Sequence, residues 1–260
     1  MFQEIDFIYD NIESKDMGLA LVKVNDDNMI PFGTSQSIIE TKLKGLDTPL
    51  FHGIERSPIQ FPLTFAIIDN DIKWDYDKRQ EIVNWLFQSD YKPFISADNP
   101  SIQYFLMAVG ESQRWDNGIQ QGYVTINFRM MSPYCYTIRQ YEHYEIEQTG
   151  TIIELVNRSN IKDYKYYPIL EFENNDSTEI SFQNLTDGGR ILSFNSLTSG
   201  ETIYVDNEHG DIISSTGQSR YLKCNRNWLK LVEGVNRIKV NANNSGKVNL
   251  NVEMIFPMNF

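Results

Sequence analysis

From Thr151 to the end of the chain, short runs of alternating apolar and polar residues are cut about every ten residues by turn-formers, and that rhythm leaves few folds open. The interruptions include Asp187-Gly188-Gly189, Ser199-Gly200, His209-Gly210-Asp211, Gly234-Val235-Asn236 and Asn243-Asn244-Ser245-Gly246, all rich in residues that accept tight-turn backbone angles. Between them, Glu179 to Phe182, Ile191 to Phe194, Glu201 to Asp206 and Lys247 to Val252 carry their apolar side chains at a period of two. A strand of that period turns one face to a core and the other to water. Two such faces packed together predict a β-sandwich.

Upstream the pattern changes. Around Asp77 to Phe87, an aspartate able to accept hydrogen bonds from the first-turn amides is followed by Gln80 three positions on, as in a capping box, and by Ile82, Val83, Leu86 and Phe87 at helical spacing. An 11-residue helix is marginal in water by itself, so that stripe is expected to pack on a sheet. Strand signals at Glu4 to Tyr9, Leu19 to Asn25, Ile59 to Asp69, Gln103 to Gly110 and Gly122 to Met131 supply it. The segment Ser132-Pro133-Tyr134-Cys135-Tyr136 and the charged, tyrosine-rich stretch after it mark a boundary. The predicted class is mainly β (α+β): a β-rich domain with one helix over residues 1–137, then a sandwich over residues 138–260. There is no repeat of 20 to 50 residues and no flexible Gly/Ser linker, so a solenoid is not expected and the domains are expected to be in fixed contact.

Charge narrows the function classes. With 23 basic and 35 acidic residues the chain carries a formal charge of -12, which removes any general attraction to phosphate backbones. The longest apolar run, Tyr104 to Val109, is far short of the roughly 20 residues that cross a bilayer, and Met1 to Asp6 has no basic n-region. Neither a membrane span nor a cleaved signal is expected. The two cysteines, Cys135 and Cys224, lie outside any Cys-x-x-Cys spacing and are expected to be reduced thiols rather than a zinc site or a disulfide framework.

Catalysis finds little support. His52, His143 and His209 stand apart, with no His-Glu-x-x-His and no Gly-x-Ser-x-Gly elbow. The run from Asp69 to Asp77 invites a calcium loop, but started at Asp71 it has lysine at its third position, tyrosine where a glycine must turn, and Ile82 where a bidentate glutamate should close it. It reads as a solvated loop ahead of a helix, and Asp206-Asn207-Glu208 reads as a polar turn. Neither Asp187-Gly188-Gly189 nor Gly118 to Gly122 matches a phosphate-binding fingerprint, so no cofactor is expected. Trp228, Tyr221, Tyr204 and Phe194 serve a core or, if an exposed pair lies near hydrogen-bonding groups, a sugar-stacking platform. No residue is assigned a catalytic, cofactor or metal role.

The chain as a whole resembles the distal tail proteins of siphophages, the phage tail protein family. The resemblance rests on Phe7 with Met17-Gly18-Leu19, on Arg79, Ile82 and Trp85-Leu86, and on Lys92-Pro93-Phe94 through Ala97-Asp98-Asn99-Pro100 to Tyr104 and Ala108-Val109-Gly110. In the second half it rests on Tyr167-Pro168-Ile169-Leu170, Gly200 to Asp206 and Leu231 to Ile238. It implies a non-enzymatic structural subunit of the virion tail tip, assembled in the host bacterial cytoplasm. The implied assembly is a homo-oligomeric, hexameric ring of N-terminal domains with galectin-like, jelly-roll C-terminal domains projecting outward. Its implied partners are the major tail tube protein on one side, the tail-associated lysin or fibre protein on the other, and receptor-binding proteins, with DNA passing through the channel without specific binding. The alternative reading is a carbohydrate-binding module for host-surface adhesion.

Overall fold

The computed structural model describes residues 4–22, 33–68, 73–116, 118, 122–244 and 247–259. In chain order the elements are β1 (Glu4–Ile5), β2 (Phe7–Tyr9), β3 (Ile12–Glu13), β4 (Leu19–Val22), β5 (Ser35–Thr41), β6 (Leu50–Ser57), β7 (Gln60–Ile67), α1 (Tyr76–Leu86), β8 (Lys92–Ser96), β9 (Ile102–Ala108), β10 (Gln113–Asp116), β11 (Gly122–Met130) and β12 (Cys135–Thr137). They continue as β13 (Gln140–Ile146), β14 (Thr151–Asn157), β15 (Ile169–Asn174), β16 (Glu179–Asn184), β17 (Arg190–Asn195), β18 (Glu201–Asp206), β19 (Asp211–Ser214), β20 (Gly234–Ala242), β21 (Val248–Met254) and β22 (Pro257–Met258). The fold is mainly β, with one α-helix among the described residues. Two compact units emerge, Met1–Thr137 with Met258–Phe260, and Ile138–Pro257. The last residues join the first unit because β22 pairs with β12, although the turn rhythm assigned everything from 138 onward to one sandwich.

In the first unit one sheet runs β1-β4-β7-β11-β9-β8-β2-β3. β11 is its spine: Tyr123 to Arg129 pair with Ala66 to Gln60 of β7, while the other edge pairs first with β10 and then with β9. The alternation read in β11 is realised, with Ile126, Phe128 and Met130 buried. A side chain at Gly122 would place its Cβ 2.1 Å from the Trp115 carbonyl, so only glycine permits the β10–β11 approach. The expected strand from Glu4 to Tyr9 is two strands, since β1 pairs β4 whereas β2 pairs β8 and β3. That from Leu19 ends at Val22, and residues 23–25 lie outside the described residues.

The core of this unit is aromatic. The Phe7 ring lies 5.2 Å from Phe65, 5.5 Å from Phe94 and 5.6 Å from Trp85, on which it stacks. Trp85 Nε1 donates to the Tyr9 carbonyl at 2.9 Å, tying α1 to β2. Two details of the helix differ from expectation. Its cap is Asp75, which accepts from the Lys78 amide at 2.8 Å, and Asp77 lies inside the first turn. Its buried residues are Ile82, Trp85 and Leu86, whereas Val83 and Phe87 are exposed, because a helix turned to seat the bulky indole rotates those two away from the sheet. Tyr76, Val83 and Phe87 therefore form a second, solvent-facing apolar stripe.

The second unit is a sandwich of two antiparallel sheets, β13-β21-β15-β18-β19 and β14-β20-β16-β17. Its core takes the predicted faces: Ile180 and Phe182, Leu192 and Phe194, Ile203 and Val205, and Val248, Leu250 and Val252. Phe172 packs its ring 5.2 Å from Phe182 and 5.3 Å from Phe194. Polar anchors pin the loops: Asn236 and Asn184, both fully buried, hydrogen-bond each other and the backbone at Val232 and Lys230. The outer edge of β17 is closed by the backbone at Cys224 and Asn225, which bridges Phe194 and donates to the Ser193 carbonyl at 3.1 Å, and by side chains that extend this pairing. Asn225 Oδ1 accepts from the Ser193 amide at 3.1 Å, and the Asn225 and Asn227 amides donate to the Ile191 carbonyl at 2.8 and 3.0 Å.

Candidate assembly surface

β5 and β6 form a two-stranded sheet that pairs with no other strand among the described residues. Ser35 pairs with Ser57, Ile38 with Ile54 and Thr41 with Leu50, and a bulge shifts the register between Ile39 and Glu40. An isolated hairpin of this kind is marginally stable in water, and its apolar residues should be few. Here Ile38, Ile39, Leu50, Phe51 and Ile54 on the strands, with Leu43 and Leu46 in the connection, are all at least 44% exposed. Because directly paired residues share a face, Ile38 and Ile54 stand side by side, with Phe51 beyond them opposite Glu40. The hairpin is held where it leaves its unit: Arg56 donates to the Tyr134 hydroxyl at 3.0 Å and lies 6.0 Å from that ring's centre. Lys42 and Lys44 put positive charge at its tip. The result is an apolar arm fixed at its base and left exposed by the described residues.

Nothing in the sequence pattern flagged this arm. Its apolar residues come in adjacent pairs, Ile38-Ile39 and Leu50-Phe51, so neither strand shows the one-faced alternation that marks a half-buried strand. The available signal was the reverse one, apolar side chains on both faces of a segment flanked by turn residues.

The candidate chemical residues remain dispersed. His52 Nε2 meets Thr41 Oγ1 at 2.9 Å on the arm, and His143 Nδ1 meets Asn251 Oδ1 at 2.6 Å on the outer face of the five-stranded sheet. His209 Nδ1 meets Asp206 Oδ2 at 2.8 Å, and this hydrogen bond and charge raise its pKa above the ordinary imidazole value. Asp206 also accepts from the Glu208 and His209 amides at 2.9 and 3.0 Å, which makes Asp206 to Glu208 a closed polar turn. Of the acidic run before α1, Asp69 to Ile72 lie outside the described residues, and Asp75 is occupied as the helix cap. No group of three or more histidine, cysteine or acidic residues is arranged to hold a metal ion among the described residues. Cys135 and Cys224 are free and buried, and burial pushes the Cys135 thiol up to about 11.

The four aromatics of the sandwich do not form an exposed pair. Phe194 is core, and Trp228 packs against the core with its ring 3.1 Å from where a Cβ at Gly210 would stand. The Tyr221 hydroxyl is engaged by Asp211 and the Ile212 amide, both at 3.3 Å. No helix among the described residues is long and apolar enough to cross a membrane.

Residues 2–132 match a family described as phage tail protein N-terminal domain, and residues 134–254 match one described as phage tail C-terminal domain. The SPbeta prophage-derived uncharacterized protein YomH of Bacillus subtilis (strain 168) is 28% identical over 240 residues, which is 91% of this chain and 92% of that protein. Among solved structures, the SPP1 Dit protein, described as a paradigm of the hub adsorption apparatus in phages infecting Gram-positive hosts, shares the fold with a TM-score of 0.68. Its sequence is 17% identical, and the match spans 97% of this chain and 99% of that one. A chain of the phage P2 baseplate in its activated conformation with calcium matches with a TM-score of 0.55 at 10% identity, over 96% and 98% of the two chains.

Proposed function

The chain belongs to this phage tail protein family, and from that premise we propose that it is a structural hub of a tail tip, one subunit of a hexameric ring. The observation that carries the proposal is the β5–β6 arm, whose exposed Ile38, Phe51 and Ile54 call for a covering surface on another molecule. A ring built from heterologous contacts uses two different surfaces of each subunit, and a projecting arm is one of them. In this reading the first unit forms the ring, and the five-on-four sandwich is a galectin-like domain turned outward. The ring joins the tail tube to the tail-associated lysin or fibre protein and to the receptor-binding apparatus, with no catalysis of its own. The formal charge of -12 supports a channel through which DNA slides without adhering, since like charges do not condense on phosphate.

The test is the mass of the purified protein by light scattering. Six copies of the 30.3 kDa chain, or two stacked sets of six, are expected. Half-exposed apolar side chains stabilise an interface by ~1 kcal/mol each on burial, so Phe51→Ala with Ile54→Ala weakens each contact about 30-fold and shifts the mass distribution downward. A monomer at every concentration refutes the proposal.

A further inference from the structure

The outer face of β16 and its two neighbours holds a groove of about 500 Å³, within the size range of small-molecule sites. Ile180, Phe182, Phe194 and Val240 turn to the core, so the alternate positions face outward in three rows that cross the strands. Asn195, Glu179 and Asn243 make the first row, Ser193, Ser181 and Asn241 the second, and Ile191, Gln183 and Lys239 the third. Short serines between rows of longer side chains leave the hollow. We infer that this groove binds an uncharged saccharide. It lies wholly within the second unit, and the inference does not depend on the ring.

The polar groups of the groove are oriented but not used up. Asn241 Nδ2 donates to Ser181 Oγ at 3.3 Å, which leaves the Asn241 amide oxygen and the Ser181 hydroxyl proton for a ligand. Asn195 Oδ1 accepts from Ser196 Oγ at 3.3 Å and keeps its amino group available. The Glu179 carboxylate and the Ser193 hydroxyl have no partner among the described residues. Asn243 is fixed, its Oδ1 accepting from the Thr178 and Glu179 amides at 2.8 and 3.1 Å, and it holds that end of the groove in shape. Acceptors, donors and hydroxyls that do both suit a polyhydroxylated ring, and Ile191, 39% exposed, adds one apolar contact for its C–H face. The Glu179 carboxylate repels anions and accepts from neighbouring hydroxyls of a neutral sugar. Rows lie about 6.6 Å apart along the strands and the strands about 4.8 Å apart, so the floor measures about 13 by 10 Å, room for two sugar rings. The composition also runs against strand stability: asparagine is depleted in strands and β-branched residues are favoured, yet Asn195, Asn241 and both serines stand here together. Such local costs concentrate at functional sites. With no aromatic platform, recognition rests on hydrogen bonds, and the binding is weak.

Saturation-transfer difference NMR, which reads weak binding, tests this on the full-length protein with cellobiose, maltose, lactose and chitobiose as probes and glucuronate as the charged comparison. Transfer to at least one neutral disaccharide and none to glucuronate is expected. Ser181→Val with Ser193→Val fills the middle row with residues that suit a strand, and should abolish the transfer while hydrogen exchange in β16, β17 and β20 stays as slow as before or becomes slower. Glu179→Gln removes the charge at nearly the same shape and should weaken binding about tenfold. No transfer to any of the four disaccharides, transfer that survives the valine pair, or a glucuronate signal equal to the neutral ones overturns the site. If the valine pair disrupts the sheet, Glu179→Gln decides alone, and an unchanged affinity overturns it.

Discussion

Arg220 and Glu201 form the most deeply buried ion pair of the second unit, with side chains 5% and 0% exposed. Arg220 Nε donates to Glu201 Oε1 at 2.6 Å and Nη2 to Oε2 at 2.7 Å, while Ser214 Oγ and the Thr198 amide supply two further hydrogen bonds to the same carboxylate. Truncation by Arg220→Ala removes both charge-assisted bonds and leaves a buried carboxylate with two neutral donors, a change that costs about 3–5 kcal/mol. The Glu201→Ala and Arg220→Ala double variant should cost less than the two single costs added together, because no unpaired charge is then left behind. The chain has two separate cores and is not expected to unfold in one step, so the measurement is denaturant-dependent hydrogen exchange read segment by segment. The loss should appear in β15, β18 and β21 and leave β7, β9 and β11 unchanged. Acid gives a second reading. Burial by itself raises the Glu201 carboxyl, but the hydrogen bonds from Arg220, Ser214 and Thr198 outweigh it and hold the pKa below its ordinary 4.5. A depressed carboxylate contributes stability that is complete above the unfolded value and is lost as pH falls through the folded one, so this part of the acid sensitivity should shrink in Arg220→Ala. A single-variant cost under about 1 kcal/mol, or strict additivity, would refute the argument.

In the first unit, Trp85→Ala removes the stack on Phe7 and the hydrogen bond to Tyr9, and should destabilise the helix and β2 by about 3–5 kcal/mol in the same exchange experiment. His209, paired with Asp206, should titrate above the ordinary 6.5 by NMR and return toward it in Asp206→Asn; the contribution of this pair to stability is present while Asp206 is ionised and His209 protonated, and fades both as pH rises through the raised His209 value and as pH falls through the lowered Asp206 value. Native Cys135 and Cys224 should resist a thiol reagent at neutral pH and react at once in denaturant, a contrast that quantitative labelling measures.

The strands that face a core were legible because burial on one side writes alternation into the letters. Ile126-Asn127-Phe128 in β11 and Ile203-Tyr204-Val205 in β18 are examples, and the structure gives them the faces their spacing predicts. The helix was legible in position but not in rotation. Leu86 and Phe87 are equally apolar, and the choice between them was made by the Trp85 indole reaching the Tyr9 carbonyl, a contact 76 residues distant in sequence. Least legible was the arm, because the letters of Ile38 and Phe51 are those of a core, and only the fold reveals that both are exposed among the described residues.

The side-chain seal on β17 bears on how growth stops. A bare strand edge is an indefinitely extendable template, in which each added chain presents the same edge to the next and the product is a fibre without a defined end. By filling the backbone positions of Ser193 and Ile191 from within, the Asn225 and Asn227 side chains, together with the backbone bridge at Cys224 and Asn225, take β17 out of that process. Contacts made through side chains of fixed shape, such as those proposed for the arm, have a set angle from one copy to the next, and a set angle is what lets a count of subunits close on itself.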